Sequence, residues 1–215
     1  MIISYGTTLD SRNKILQKIN HEKSLKPFNV IDIGGEAIGW SSQVTDMLVD
    51  KNTINSPSSM QLDVCTHSEW QKLLNHVTEN GLYDYAICTH TLEDLYNPFI
   101  SLDFLPKVAK AGIITMPSMR TELSHIENPN WVGFIHHRWM FDVSDNKMLV
   151  IPKLEFLSKL VGDSIKVDHN TFDIRYEWDG GIDYEIFMDN YLGPSAPVVI
   201  QKYKQLVSKF NKKQL

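Results

Sequence analysis

Tyr83-Asp84-Tyr85-Ala86-Ile87-Cys88-Thr89-His90-Thr91-Leu92-Glu93-Asp94, then Asn97-Pro98, then Leu105-Pro106-Lys107-Val108-Ala109-Lys110-Ala111-Gly112-Ile113-Ile114-Thr115-Met116-Pro117-Ser118, decides the fold. An apolar strand ends in a short polar loop. An amphipathic helix follows, stops at a glycine, and a second apolar strand ends in Pro-Ser. Two strands joined through a helix make a β-α-β unit, the building block of a parallel sheet.

Working outward, the same alternation fills the first half of the chain. Residues 11–19 predict a helix with Ile15, Leu16 and Ile19 on one face. Residues 28–33 are a buried-strand run ending in Gly34-Gly35, residues 37–44 a short helix, and Met47 to Asp50 a second strand. Residues 60–64 predict a third strand, and residues 69–78 a helix faced by Trp70, Leu73, Leu74 and Val77. After Pro117 the style changes. Residues 119–139 are irregular, aromatic and rich in histidine, and residues 141–151 read as a hairpin around Ser144 to Lys147. A short helix over 154–160 stops at Gly162, and Ser195 caps a last helix carrying Val199, Tyr203, Leu206 and Phe210. Between these, Phe172, Ile174, Tyr176 and Trp178 alternate with polar residues, and so do Ile182, Tyr184, Ile186 and Met188 beyond Asp179-Gly180-Gly181, which predicts a C-terminal β-hairpin. The expected class is α/β: one domain over 1–215 with a doubly wound, mostly parallel seven-stranded sheet and an insertion at about 119–162.

Composition narrows the function. At 215 residues the chain is long enough for one domain with a real core. With 42% apolar and 22% charged residues it is an ordinary globular sequence rather than a disordered one. A net charge of −5 argues against nucleic acid as the main partner, since a phosphate backbone calls for a basic face. A basic cluster, Lys202, Lys204, Lys209, Lys212 and Lys213, reads as a solvated helix end. Cys65 and Cys88 are too few for a disulfide framework and read as buried thiols, no apolar run is long enough to span a membrane, and the first residues lack the marks of a secretory signal. The expected setting is a reducing cytoplasm. The expected partners are a small-molecule substrate and, as an open alternative, a second copy of the chain in a homodimer.

The opening unit resembles the second half of the class I S-adenosylmethionine-dependent methyltransferase domain, and Val30-Ile31-Asp32-Ile33-Gly34-Gly35-Glu36-Ala37-Ile38-Gly39 stands where that family has its glycine-rich loop. The resemblance covers residues 28–118 well and 170–190 in outline. It implies a Rossmann-like methyltransferase fold and S-adenosylmethionine as cofactor. Asp32 and Gly34 match the loop motif, with Gly35 at its variable position. Glu36 and Ile38 replace the second and third motif glycines, where close approach of backbone to cofactor favours a residue without a Cβ. By the same resemblance Asp50 would hold the ribose hydroxyls and Asp63 the adenine amino group, while Thr89 and His90 would face the cofactor. Glu93 and Asp94 match a largely structural segment of the family, Asp94 replacing a histidine.

Glu122, His125, His136, His137 and Arg138 lie close together in the insertion, on the side expected for substrate. The wording Trp131-Val132-Gly133 and His136-His137-Arg138-Trp139 is similar to a subgroup of methyltransferase-like proteins often encoded near glycan-biosynthesis genes, which implies a sugar or related metabolite as acceptor. One of His136 and His137 is the expected general base, because neighbours on an extended strand point to opposite faces. Arg138 is expected to hold an anionic group. No spacing matches a zinc signature, so no metal is expected. Two rivals remain: a binding or assembly protein that keeps the fold without the cofactor, and a metal-dependent enzyme using His125, Glu122 and one of His136 and His137.

Overall fold

The computed structural model describes residues 1–145, 147–161, 165–188 and 195–211. Seven strands form the main sheet: β1 (Ile2–Gly6), β2 (Val30–Ile33), β3 (Met47–Asp50), β4 (Ser59–Gln61), β5 (Tyr83–Thr89), β6 (Ala109–Pro117) and β9 (Asp173–Asp179). Their spatial order is β1-β9-β6-β5-β2-β3-β4. The five strands from β4 to β6 pair in parallel, and β9 runs antiparallel to both β6 and β1. The chain steps outward from β2 to β3 and β4, then restarts on the other side of β2 with β5 and β6. In an open α/β sheet ligands bind at such a reversal, beyond the carboxyl ends of the strands.

All four residues of β2 are buried, as expected for a strand covered on both faces. Helix α1 (Thr8–Leu25) lays Ile15 and Ile19 on one face, against Val30, Tyr85, Ile87 and Ile113. Helices α2 (His67–Asn80) and α3 (Pro98–Val108) cover the other, with Trp70, Leu73, Leu102 and Leu105 against Ile31, Ile33, Cys88 and Ile114. Both cysteines are buried free thiols. Among the described residues no helix is long and apolar enough to cross a membrane.

A three-stranded sheet packs beside this core. Strands β7 (Trp139–Ser144) and β8 (Lys147–Pro152) form the expected hairpin, and β10 (Tyr184–Ile186) pairs in parallel with β8. Phe141, Met148 and Val150 join the main core. Met140 and Ile151 face a separate cluster with α5 (Leu157–Val161) and α6 (Ala196–Asn211), centred on Val199, Tyr203 and Leu206.

Four sequence expectations change. The C-terminal hairpin does not form: β9 enters the main sheet and β10 the small one, because both edges of β9 are already occupied by β6 and β1. Residues 37–44 are a succession of turns, not a helix. The third strand is shorter than expected, so Asp63 stands in the loop beyond it. The edge strand β1 is a further element, in a segment given no structure from its sequence. Gly162, Lys212 and Lys213 lie outside the described residues.

Candidate functional site

The reversal between β2 and β5 opens a crevice that the Gly34-Gly35 turn divides. Gly34 adopts φ +81° and its N–H donates to Val49 O at 2.7 Å. A side chain at Gly34 would run into Thr91, and one at Gly35 into the Asp32 carboxylate. Glycine is required here by packing as well as by backbone conformation. Asp32 is 2% exposed, accepts from the Ser41 hydroxyl, and burial lifts its pKa to about 6.

On one side of the turn lies a cavity of about 340 Å³ bordered by Arg12, Asp32, Gly34, Gly35, Thr89 and His90. Glu36 and Ile38 stand on its rim, Ile38 97% exposed. On the other side lies one of about 220 Å³, bordered by Gly34, Asp50, Asp63, Asp94, Tyr96 and Arg138. Asp50 and Asp63 each use Oδ1 to accept a backbone N–H two residues on, from Asn52 at 2.7 Å and Cys65 at 2.9 Å, which orients both carboxylates. Gly34 belongs to both cavities. The residues singled out from the sequence for a cofactor therefore divide between two adjoining cavities.

His90 has φ +50°, a left-handed backbone uncommon outside glycine, and its N–H donates to Thr115 O at 2.8 Å. Its ring lies between two buried carboxylates, 3.3 Å from Glu93 Oε1 and 3.3 Å from Asp173 Oδ2. Burial lowers the ring's pKa, but the Asp173 and Glu93 carboxylates outweigh it and raise the pKa to about 10. The ring is thus an imidazolium with both nitrogens turned to carboxylates. Glu93 Oε1 and Oε2 and Asp173 Oδ2 have no other hydrogen-bond partner among the described residues, so both carboxylates depend on this ring. The sequence reading missed Asp173, which begins a strand placed beside β6 only by the tertiary fold. Glu93 was visible as a family match but not as a buried charge.

The histidine segment is a turn, not a strand. His137 N–H donates to Phe134 O at 3.2 Å, and the rings of His136 and His137 lie 4.6 Å apart. Both Nε2 atoms stand 3.7 Å from Asp94 Oδ1, which corrects the expectation that the pair diverges. His137 is pinned from behind by Glu122, 1% exposed, whose Oε1 lies 2.5 Å from Nδ1. Lys153 neutralises that carboxylate through Oε2 at 2.6 Å. His125 instead turns its Nδ1 to Trp131 O at 2.8 Å, serving the loop rather than joining Glu122 and His137. Arg138 N–H donates to Glu93 O at 2.7 Å, tying this segment to the end of β5.

No protein-family model matches the chain, and no curated protein matches it. Among solved structures, the chain is similar to the methyltransferase domain of bacterial CtHen1-C, with a TM-score of 0.35 and 10% identity over 80% of this chain and 98% of that one.

Proposed function

We propose that the chain binds S-adenosylmethionine across the two cavities and transfers its methyl group to a small acceptor, a sugar or related metabolite. The observation that carries this reading is the convergence of Asp50, Asp63 and the Gly34 turn on one cavity at the sheet's reversal point. Asp50 suits a ribose diol, since a carboxylate accepts from two hydroxyls at once, and Asp63 suits an exocyclic amino group. Across the turn, the Arg12 guanidinium borders the cavity where a carboxylate such as that of the cofactor's methionine end would sit. The bound cofactor supplies an activated methyl group. The chain's own contribution is alignment of the acceptor and exclusion of water. Arg138 would hold an anionic group of the acceptor, and the His136–His137 pair would activate its hydroxyl or amine.

Calorimetric titration with S-adenosylmethionine and S-adenosylhomocysteine tests the reading. We expect saturable heat in both cases, and about a 10- to 100-fold loss of affinity in Asp50→Ala, the scale of losing hydrogen bonds to a charged group. Absence of heat at millimolar ligand would end it. That result would favour the rival of a cofactor-free binding protein, which the Glu36 and Ile38 replacements of the motif glycines support.

A further inference from the structure

We propose that Asp94, His136 and His137 bind one divalent transition-metal cation, with Glu122 orienting the His137 imidazole. The three side chains each offer one ligand atom, and these atoms all lie within 4.8 Å of one another. Asp94 Oδ1 is 3.7 Å from Nε2 of His136 and 3.7 Å from Nε2 of His137. Around a cation with ligand bonds of about 2.1 Å, neighbouring donor atoms stand roughly 3.0–3.4 Å apart. Closing the Asp94 gaps takes a few tenths of an ångström, while the two imidazole donors, within 4.8 Å of each other, must also draw together, a movement open to Asp94 and His136 as exposed side chains.

The surroundings hold one of the two rings in place. Glu122 lies 2.5 Å from Nδ1 of His137, and Glu127 Oε1 lies 4.0 Å from Nδ1 of His136. The Glu122 carboxylate holds the His137 ring from its Nδ1 side with Nε2 toward Asp94, the arrangement that orients histidines at metal centres, whereas Glu127 is too distant to hold His136 in the same way. Lys153 balances the charge of Glu122 at 2.6 Å, so that carboxylate is held in place behind the ring. Two ring nitrogens and the Asp94 carboxylate thus face one point. Two imidazoles and one carboxylate suit zinc, manganese(II) or iron(II) rather than magnesium or calcium, which take oxygen ligands. Three protein ligands at an exposed edge leave coordination positions open. Asp94 also borders the 220 Å³ cavity, so the ion would sit beside Arg138.

With the ion bound, both Nε2 atoms are committed to it, so this site takes the place of the general-base role given to the pair above; it stands on its own ligands and does not require the cofactor reading. Tag-free, chelator-treated protein is titrated with zinc chloride and with manganese(II) chloride by calorimetry, and the bound metal is counted after gel filtration. We expect one equivalent, with affinity at least tenfold weaker in Asp94→Asn and in His136→Ala, and unchanged in His169→Ala, which alters a histidine outside the cluster. Both ligand changes fall on exposed side chains, and far-ultraviolet circular dichroism confirms that the variants are folded. Binding well below one equivalent, or equal affinity in the wild type and both ligand variants, overturns the proposal. Either result leaves S-adenosylmethionine binding at Asp50 and Asp63 to be judged by its own titration.

Discussion

Asp32 is 2% exposed and its pKa is lifted to about 6, against 3.8 for an ordinary aspartate. Between those values the folded chain holds a proton that the unfolded chain has lost. This group's contribution to stability therefore falls as pH rises from about 4 to about 6, and by pH 7 the penalty is on the order of 3 kcal/mol. Asp32→Asn keeps an acceptor for Ser41 and removes the titration. Relative to wild type, its melting temperature should rise on going from pH 4.5 to pH 7.5, and a difference independent of pH would show that the carboxylate ionises without penalty. Sequence singled out Asp32 and its glycine turn because a strand run, an acid and two glycines are local signals. It could not foresee what Gly34 and Gly35 clear, since Thr91 reaches the turn only in the fold. His136 and His137 show a similar limit. Their divergence rested on extended backbone, and a turn at Phe134 brings both rings to Asp94 instead.

Whole elements divide along the same line. The interior strands were legible because burial on both faces leaves unbroken apolar runs, as in β2 and β6. Strand β1 was not, because its residues from Ile2 to Ser4 are exposed or half-buried. Strand β10 was misplaced because alternation specifies a strand without specifying its neighbour. The interlock between β1 and β9 carries a prediction. Arg175, 3% exposed, donates through Nε to Ser4 Oγ at 2.9 Å, through Nη1 to Asp10 at 2.5 Å, and through Nη2 to Tyr5 O. Deleting residues 1–5 strands this guanidinium beside a bare sheet edge. The urea midpoint should drop by the equivalent of at least about 3 kcal/mol, and adding Arg175→Met to the deletion should recover part of that loss. An unchanged midpoint in the deletion would show that β1 does not hold the sheet.

For the molecule as a whole, the reversal between β2 and β5 organises the remaining features. It places the glycine turn, His90 and the ends of β3 and β4 around one crevice, while the small sheet brings Arg138 and the histidine turn to its edge. The position of the crevice could be read from the alternation of strands and helices. The small sheet's share could not, because β7, β8 and β10 depend on long-range pairing. Hydrogen exchange should rank the amides of β2, β5 and β6 as slowest and those of the edges β1 and β4 as faster. Added S-adenosylmethionine should slow exchange at residues 34–36, 50–51 and 63–65 while leaving β1 unchanged, and uniform slowing across the sheet would speak against a local site. The pairing of β1 with β9 also bears on how the chain is made. Ser4 waits for Arg175, 171 residues later, and Thr8 for Asp173, 165 residues later. On the ribosome the parallel strands can assemble while the sheet's border lies open, and a segment made before all of them is among the last to find its place.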